Sequence, residues 1–170
     1  GNVSNFYSVE TGITGSMDPN NPDPIKIGKD GLVDYKAIFT FDTSVIPADA
    51  TITMVGFGIG AYTQNSEQWQ YIEENLKLDI AGLFGFGGSF IVTGYDYYAP
   101  GVVTTNTTWC GPCPIPIMEF TPENNPLVIA NINKFGNTQM RLSLTPNMEN
   151  KLIDFYGTTN PSFALTIIYE

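Results

Sequence analysis

The chain of 170 residues contains no histidine and only two cysteines, Cys110 and Cys113. Without histidine there is no Ser-His-Asp or Cys-His nucleophile pair and no imidazole metal ligand. Two cysteines cannot close a tetrahedral zinc site by themselves. Basic residues are scarce as well: seven Lys and Arg stand against 17 Asp and Glu, a net charge of −10. Lys26, Lys29, Lys36, Lys77, Lys134, Arg141 and Lys151 are scattered singly, whereas nucleic-acid binding relies on clustered cations, so no nucleic-acid partner is expected. No run of eighteen apolar residues occurs, and no membrane insertion is expected.

What is present is apolar and turn-forming. Apolar residues make up 42% of the chain and aromatics 13%, enough for a sizeable core and too much for disorder. Charged residues reach only 14%, and Asn, Thr, Gly and Pro fill their place, as in turn-rich β proteins. The clearest local signal is alternation with period two. In 35–42, Tyr35, Ala37, Phe39 and Phe41 face one way and Lys36, Thr40 and Asp42 the other, with Ile38 the exception. In 139–145, Met140, Leu142 and Leu144 alternate with Gln139, Arg141, Ser143 and Thr145. The last run, 162–169, alternates Phe163, Leu165, Ile167 and Tyr169 with Ala164, Thr166 and Ile168. Shorter strands are expected at Leu76, Leu78, Ile80 and at Phe90, Val92.

Three prolines in 15–24 exclude a helix or a central strand there. Long loops are expected over 15–31 and 100–125, within one domain spanning 1–170. Two segments are candidates for short helices. Ser66 would cap a turn placing Trp69, Ile72 and Leu76 on one face, and Asn125–Pro126 opens a second that Gly136 would stop. The pattern predicts an all-β, antiparallel β-sandwich, jelly-roll-like, with one or two short helical turns.

The run from Tyr35 to Ile52, with Phe41-Asp42, Ser44-Val45-Ile46-Pro47 and Ala50-Thr51-Ile52, resembles the "strand, Phe-Asp, Ser-x-Ile-Pro, x-x-Ala-Thr-Ile, strand" segment of DNRLRE-type modules. Those are β-sandwich domains of secreted and cell-surface microbial proteins, related to the disaggregatase repeats, and some bind carbohydrate. Gly136-Asn137-Thr138-Gln139-Met140-Arg141-Leu142 is similar to the family's "Gly-x-Thr-Gln-Phe-Arg-Leu" strand entry, and Asp154–Gly157 and Pro161–Tyr169 to its last two strands. The resemblance covers about residues 33–60 and 130–170. Lys36 stands where the family commonly has Arg, and the acronym motif itself is absent. The resemblance implies a proline-braced crossing into a second strand with Val55, Phe57 and Ile59 inward, and an extracytoplasmic, secreted or cell-surface location.

Several constellations bear on chemistry. Trp109-Cys110-Gly111-Pro112-Cys113 is the thioredoxin-family string, whose first thiol needs a helix N-terminus to lower its pKa. Pro114 and Pro116 interrupt any such helix, and Val103–Thr108 reads as polar loop. A short Cys110–Cys113 disulfide pinning a loop is the favoured reading, with reduced thiols and redox catalysis as alternatives. Glu73, Glu74, Asp96, Glu119, Glu149 and Asp154 offer carboxylates, but no spacing marks a glycosidase pair. Asp18, Asn20, Asp23 and Asp30 form an oxygen-rich loop suited to calcium, and Asx-Pro turns explain the same residues; no cofactor is expected, with structural calcium left open. The glycine runs 56–60 and 82–88 lack the Lys-Ser/Thr of a phosphate loop. Asn2-Val3-Ser4 and Asn106-Thr107-Thr108 match the glycosylation acceptor pattern.

Trp69, Tyr71, Tyr95, Tyr97, Tyr98 and Trp109 lie in or beside loops, where aromatic faces stack on sugars or else bury at a sandwich rim. The expectation is a non-catalytic module that binds a polysaccharide, with these six residues as its site. The alternative is a structural or adhesive spacer contacting other surface protein domains; a glycan-active hydrolase ranks below both.

Overall fold

The computed structural model describes residues 5–11, 25–30, 33–59, 74–91, 95–106, 117–145, 152–155 and 163–170. Strands β1 (Asn5–Thr11), β2 (Ile25–Asp30), β3 (Val33–Asp42), β4 (Ile52–Ile59) and β5 (Leu76–Ile80) come first. They are followed by β6 (Val103–Asn106), β7 (Ile117–Phe120), β8 (Asn137–Leu144), β9 (Leu152–Phe155) and β10 (Phe163–Tyr169). One helical turn, α1 (Pro126–Ala130), precedes β8, and a 3-10 turn lies at Phe86–Gly88. Among the described residues seven strands make one sheet in the order β6-β5-β8-β3-β2-β9, with β1 also on β3, and three make a second, β10-β4-β7. Every pairing is antiparallel. The chain is an all-β sandwich, as its alternating runs predict.

The alternation also dictates the core. From β3, Ala37, Phe39 and Phe41 are fully buried, and from β4 so are Val55 and Phe57. Phe57 meets Phe39 at 5.4 Å and Phe41 at 5.9 Å, both edge to face, which ties the two sheets together. Each such side chain contributes about 1.5–3 kcal/mol through burial. Leu76, Leu78, Ile80, Met118, Phe120, Met140, Leu142, Leu165 and Ile167 belong to the same cluster. The turn between β3 and β4 carries the chain from the large sheet to the small one, with Ile46 buried and Pro47 accepting from Ala50 N–H. The buried Thr43 hydroxyl lies 2.6 Å from Asn133 O, 2.8 Å from Gly136 O and 2.8 Å from Thr138 Oγ1, which fixes that crossing to the entry of β8.

Helix α1 starts as its sequence predicts. Asn125 caps it by accepting from Val128 N–H, and Pro126 occupies the first turn, where its missing donor costs nothing. It ends at Ala130, well before Gly136, which stands in the turn leading to β8. Three β-branched residues, Val128, Ile129 and Ile132, make a poor propagating segment. Of the other expected helix only its last residues are described, and Leu76 opens β5 facing the core.

Three strands lie where loops are expected. β2 falls inside 15–31, and β6 and β7 fall inside 100–125. For β2 and β7 a short alternating run directly follows a proline, whereas β6 is largely polar, with threonines inside the strand. Ile25-Lys26-Ile27 comes directly after Pro24, and Ile117-Met118-Glu119-Phe120 after Pro116. Val103–Asn106 is a strand because it pairs antiparallel with β5, so the segment upstream of the cysteines begins as a strand rather than a loop. Phe90 lies in a bend, not in a strand.

Candidate functional site: a clamped loop on the outer face

The outer face of the large sheet follows from register. One transverse row runs across four strands: Thr104 opposite Asp79, Asp79 opposite Arg141, and Arg141 opposite Ile38. The next row sets Gln139 opposite Thr40. These positions alternate with the core residues, so their side chains must point away from the sandwich interior. Four of them are nevertheless buried: Ile38 and Gln139 are 0% exposed, Arg141 5% and Asp79 7%, while Thr40 is half-buried and Thr104 exposed.

The segment 81–102, between β5 and β6, folds over them. Arg141 donates from Nε and Nη2 to Asp79 Oδ2 at 2.9 and 2.6 Å. Its Nη1 reaches the loop, donating to Asp96 O and to Tyr97 O at 3.2 Å. Thr104 Oγ1 donates to the other Asp79 oxygen at 2.6 Å. Lys36 Nζ also donates to Tyr97 O at 2.9 Å and stands 4.1 Å from the Tyr97 ring centre. Two cations therefore converge on one loop carbonyl. Burying a charge pair costs several kcal/mol per ion and is offset only when the remaining donors and acceptors are filled; here four of the five guanidinium N–H groups and both Asp79 oxygens have partners.

A second grip lies one row along. Phe86 N–H donates to Gln139 Oε1 at 2.8 Å, while Gln139 Nε2 donates to Thr40 Oγ1 at 3.0 Å. Phe86, 1% exposed, packs with Ile38 and Ala81 in a small apolar cluster separate from the main core. The Arg141 guanidinium sits 4.5 Å from the centre of its ring. Gly85 makes this turn feasible. At φ 81° it adopts a left-handed conformation, and a Cβ there would stand 2.2 Å from Ser89 O.

The top of this loop is open and apolar. Tyr95 is 85% exposed and Tyr98 67%, and Phe84 and Ile91 are each 73% exposed. Tyr97 is only 5% exposed; its ring sits edge-on to Tyr98 at 4.7 Å and supports it from below. So of the aromatics predicted as a site, Tyr95 and Tyr98 are presented together on one turn, closed by bonds from Tyr98 N–H and Ala99 N–H to Tyr95 O, and Tyr97 is structural. Trp69, Tyr71 and Trp109, the Cys110–Cys113 pair, and Asp18, Asn20 and Asp23 lie outside the described residues. Asp30 ends β2, in register with Val33.

Among the proposed carboxylates, Asp96 is buried beneath the loop, Glu74 and Glu119 are exposed, and Asp154 lies in β9. Among the described residues no group of three His, Cys, Asp or Glu side chains is placed to hold a metal ion. None of the helices in those residues is long and apolar enough to cross a membrane. Gly56 and Gly58 of β4 alternate with the core residues Val55 and Phe57 and accompany no helix N-terminus.

Sequence reasoning singles out neither Asp79 nor Arg141 as a functional pair. The available signals are the interrupted alternation at Ile38 and the length of the segment joining β5 to β6, far beyond an ordinary connection. No model of a known protein family matches the chain, and no curated protein matches it.

Proposed function

We propose that this domain is a non-catalytic module of a secreted or cell-surface protein, and that the 81–102 loop is its carbohydrate-binding element. The observation that carries the reading is the pairing of two exposed tyrosines, Tyr95 and Tyr98, with a base clamped by Arg141, Lys36 and Gln139. Tyrosine rings offer flat apolar faces to the C–H faces of sugars, and their hydroxyls bond to sugar hydroxyls. A loop fixed before binding loses little entropy on complex formation. The resemblance to DNRLRE-type modules points the same way, and the missing histidine argues against most nucleophilic chemistry.

The test is titration calorimetry against a glycan panel with the wild type and with the double variant Tyr95→Ala, Tyr98→Ala. Both side chains are exposed, so the variant should keep its melting temperature while losing at least tenfold in affinity. Equal binding by wild type and variant would move the site elsewhere, and binding to no glycan would favour the structural spacer.

A further inference from the structure

We infer that the ligand of the 81–102 loop is an uncharged polysaccharide, recognised through sugar faces without any ion pair; this rests on the carbohydrate-binding reading above. The sequence supplies the first observation. Between Asp79 and Glu119 the chain carries a single charged residue, Asp96, in a protein whose net charge is −10. The structure supplies the second, because Asp96 is 1% exposed and lies under the loop. The surface of the segment is therefore free of formal charge among its described residues.

The two cations that bond to it, Arg141 and Lys36, are held against its backbone. Arg141 is buried against Asp79, Asp96 O and Tyr97 O, and Lys36 bonds to Tyr97 O beside the Tyr97 ring. What faces outward instead is apolar: Leu83, Phe84, Ile91, Tyr95, Tyr98 and Val102 are each at least 60% exposed. They are six of the ten large apolar side chains that stand exposed among the described residues. An acidic polymer would meet this surface without a cationic partner and within the field of an acidic protein, which repels it. A neutral polymer meets neither obstacle and gains from the burial of ring and aliphatic surface.

The deciding experiment is a depletion assay with the whole chain. Its neutral polymers are cellulose, xylan, mannan and chitin, and its acidic polymers are alginate and polygalacturonate. Each is tested at low and at 0.5 M sodium chloride, with the Tyr95→Ala, Tyr98→Ala double variant alongside. The expected result is retention by at least one neutral polymer, unchanged by salt and reduced at least tenfold in the double variant. Retention by the acidic polymers alone, by both classes equally, or in a form that salt abolishes, would overturn the inference while leaving carbohydrate binding standing. Retention by no polymer would overturn both. In that case, concentration-dependent self-association lost in the double variant would assign the apolar surface to a second copy of the chain.

Discussion

Both faces of the large sheet are buried where β3, β5 and β8 run side by side, but they are buried by different means. On the inner face Ala37, Phe39, Phe41, Leu78, Ile80, Met140 and Leu142 meet the small sheet through apolar contact alone. On the outer face a small cluster around Ile38 and Phe86 is ringed by Asp79, Gln139 and Arg141; Gln139 and Arg141 bond to loop backbone, and Asp79 holds the guanidinium. Apolar contact is non-directional, so the inner face sets overall stability with some tolerance for shape. A polar network is directional and loses heavily when one member goes, so the outer face sets the position of one particular loop. The inner face makes the fold, and the outer face positions the candidate site.

The largest effect should come from Phe57→Ala. This side chain touches Phe39 and Phe41 across the sandwich, and its loss should cost about 3–5 kcal/mol, with inner and outer faces unfolding together. Urea denaturation followed by far-ultraviolet circular dichroism measures it. Arg141→Met should follow at about 3 kcal/mol, because it leaves Asp79 buried without its cation, but most of that loss should fall on local opening of the 81–102 segment, read by amide exchange, with a much smaller shift in the urea transition. It differs in kind: Arg141→Met should also lower glycan affinity in proportion to the loss of loop order.

Gly85→Ala should cost about 1–3 kcal/mol, since alanine meets both the left-handed backbone and Ser89 O. Its effect should be confined to the loop, read as faster proteolysis within 81–102 and an unchanged inner core. The smallest effect concerns Asp42, exposed at the end of β3, whose carboxyl is held below its ordinary value of 3.8 by hydrogen bonds from the Ser44 hydroxyl and backbone N–H. A lowered folded pKa means the stabilisation is fully present above 3.8 and is lost as pH falls through the lowered value. In Ser44→Ala the Asp42 carboxyl should titrate at higher pH by NMR, and that small acid-range contribution should shrink.

The same comparison explains what could be read from the sequence. Alternation revealed β3, β5, β8 and β10, because one face of each is apolar and the other is not, while β4 was expected only from the resemblance of the segment that leads into it. The Phe41-Asp42 to Ala50-Thr51-Ile52 stretch revealed the crossing between sheets. The outer face stayed illegible for a physical reason: Gln139 and Arg141 read as a solvated polar face, and a polar face buried under a loop has the same period and composition. Tyr95 and Tyr98 were legible as loop aromatics, whereas nothing in the sequence separates them from Tyr97, whose carbonyl Lys36 and Arg141 grip. β2, β6 and β7 were hidden because a four- to six-residue strand beside prolines or threonines has too few turns of the pattern to outweigh its neighbours.

The central claim, that a polar outer face positions the loop independently of the apolar core, is tested most directly by hydrogen exchange with Arg141→Met. The amides of Phe86 and Val102 bond to Gln139 Oε1 and Ile80 O, and those of β3 and β4 lie in the sheets around Phe39 and Phe57. The account predicts that Arg141→Met strips protection from the 81–102 amides while β3 and β4 keep most of theirs. Equal loss in the loop and in both strands, or no loss in the loop at all, would contradict it.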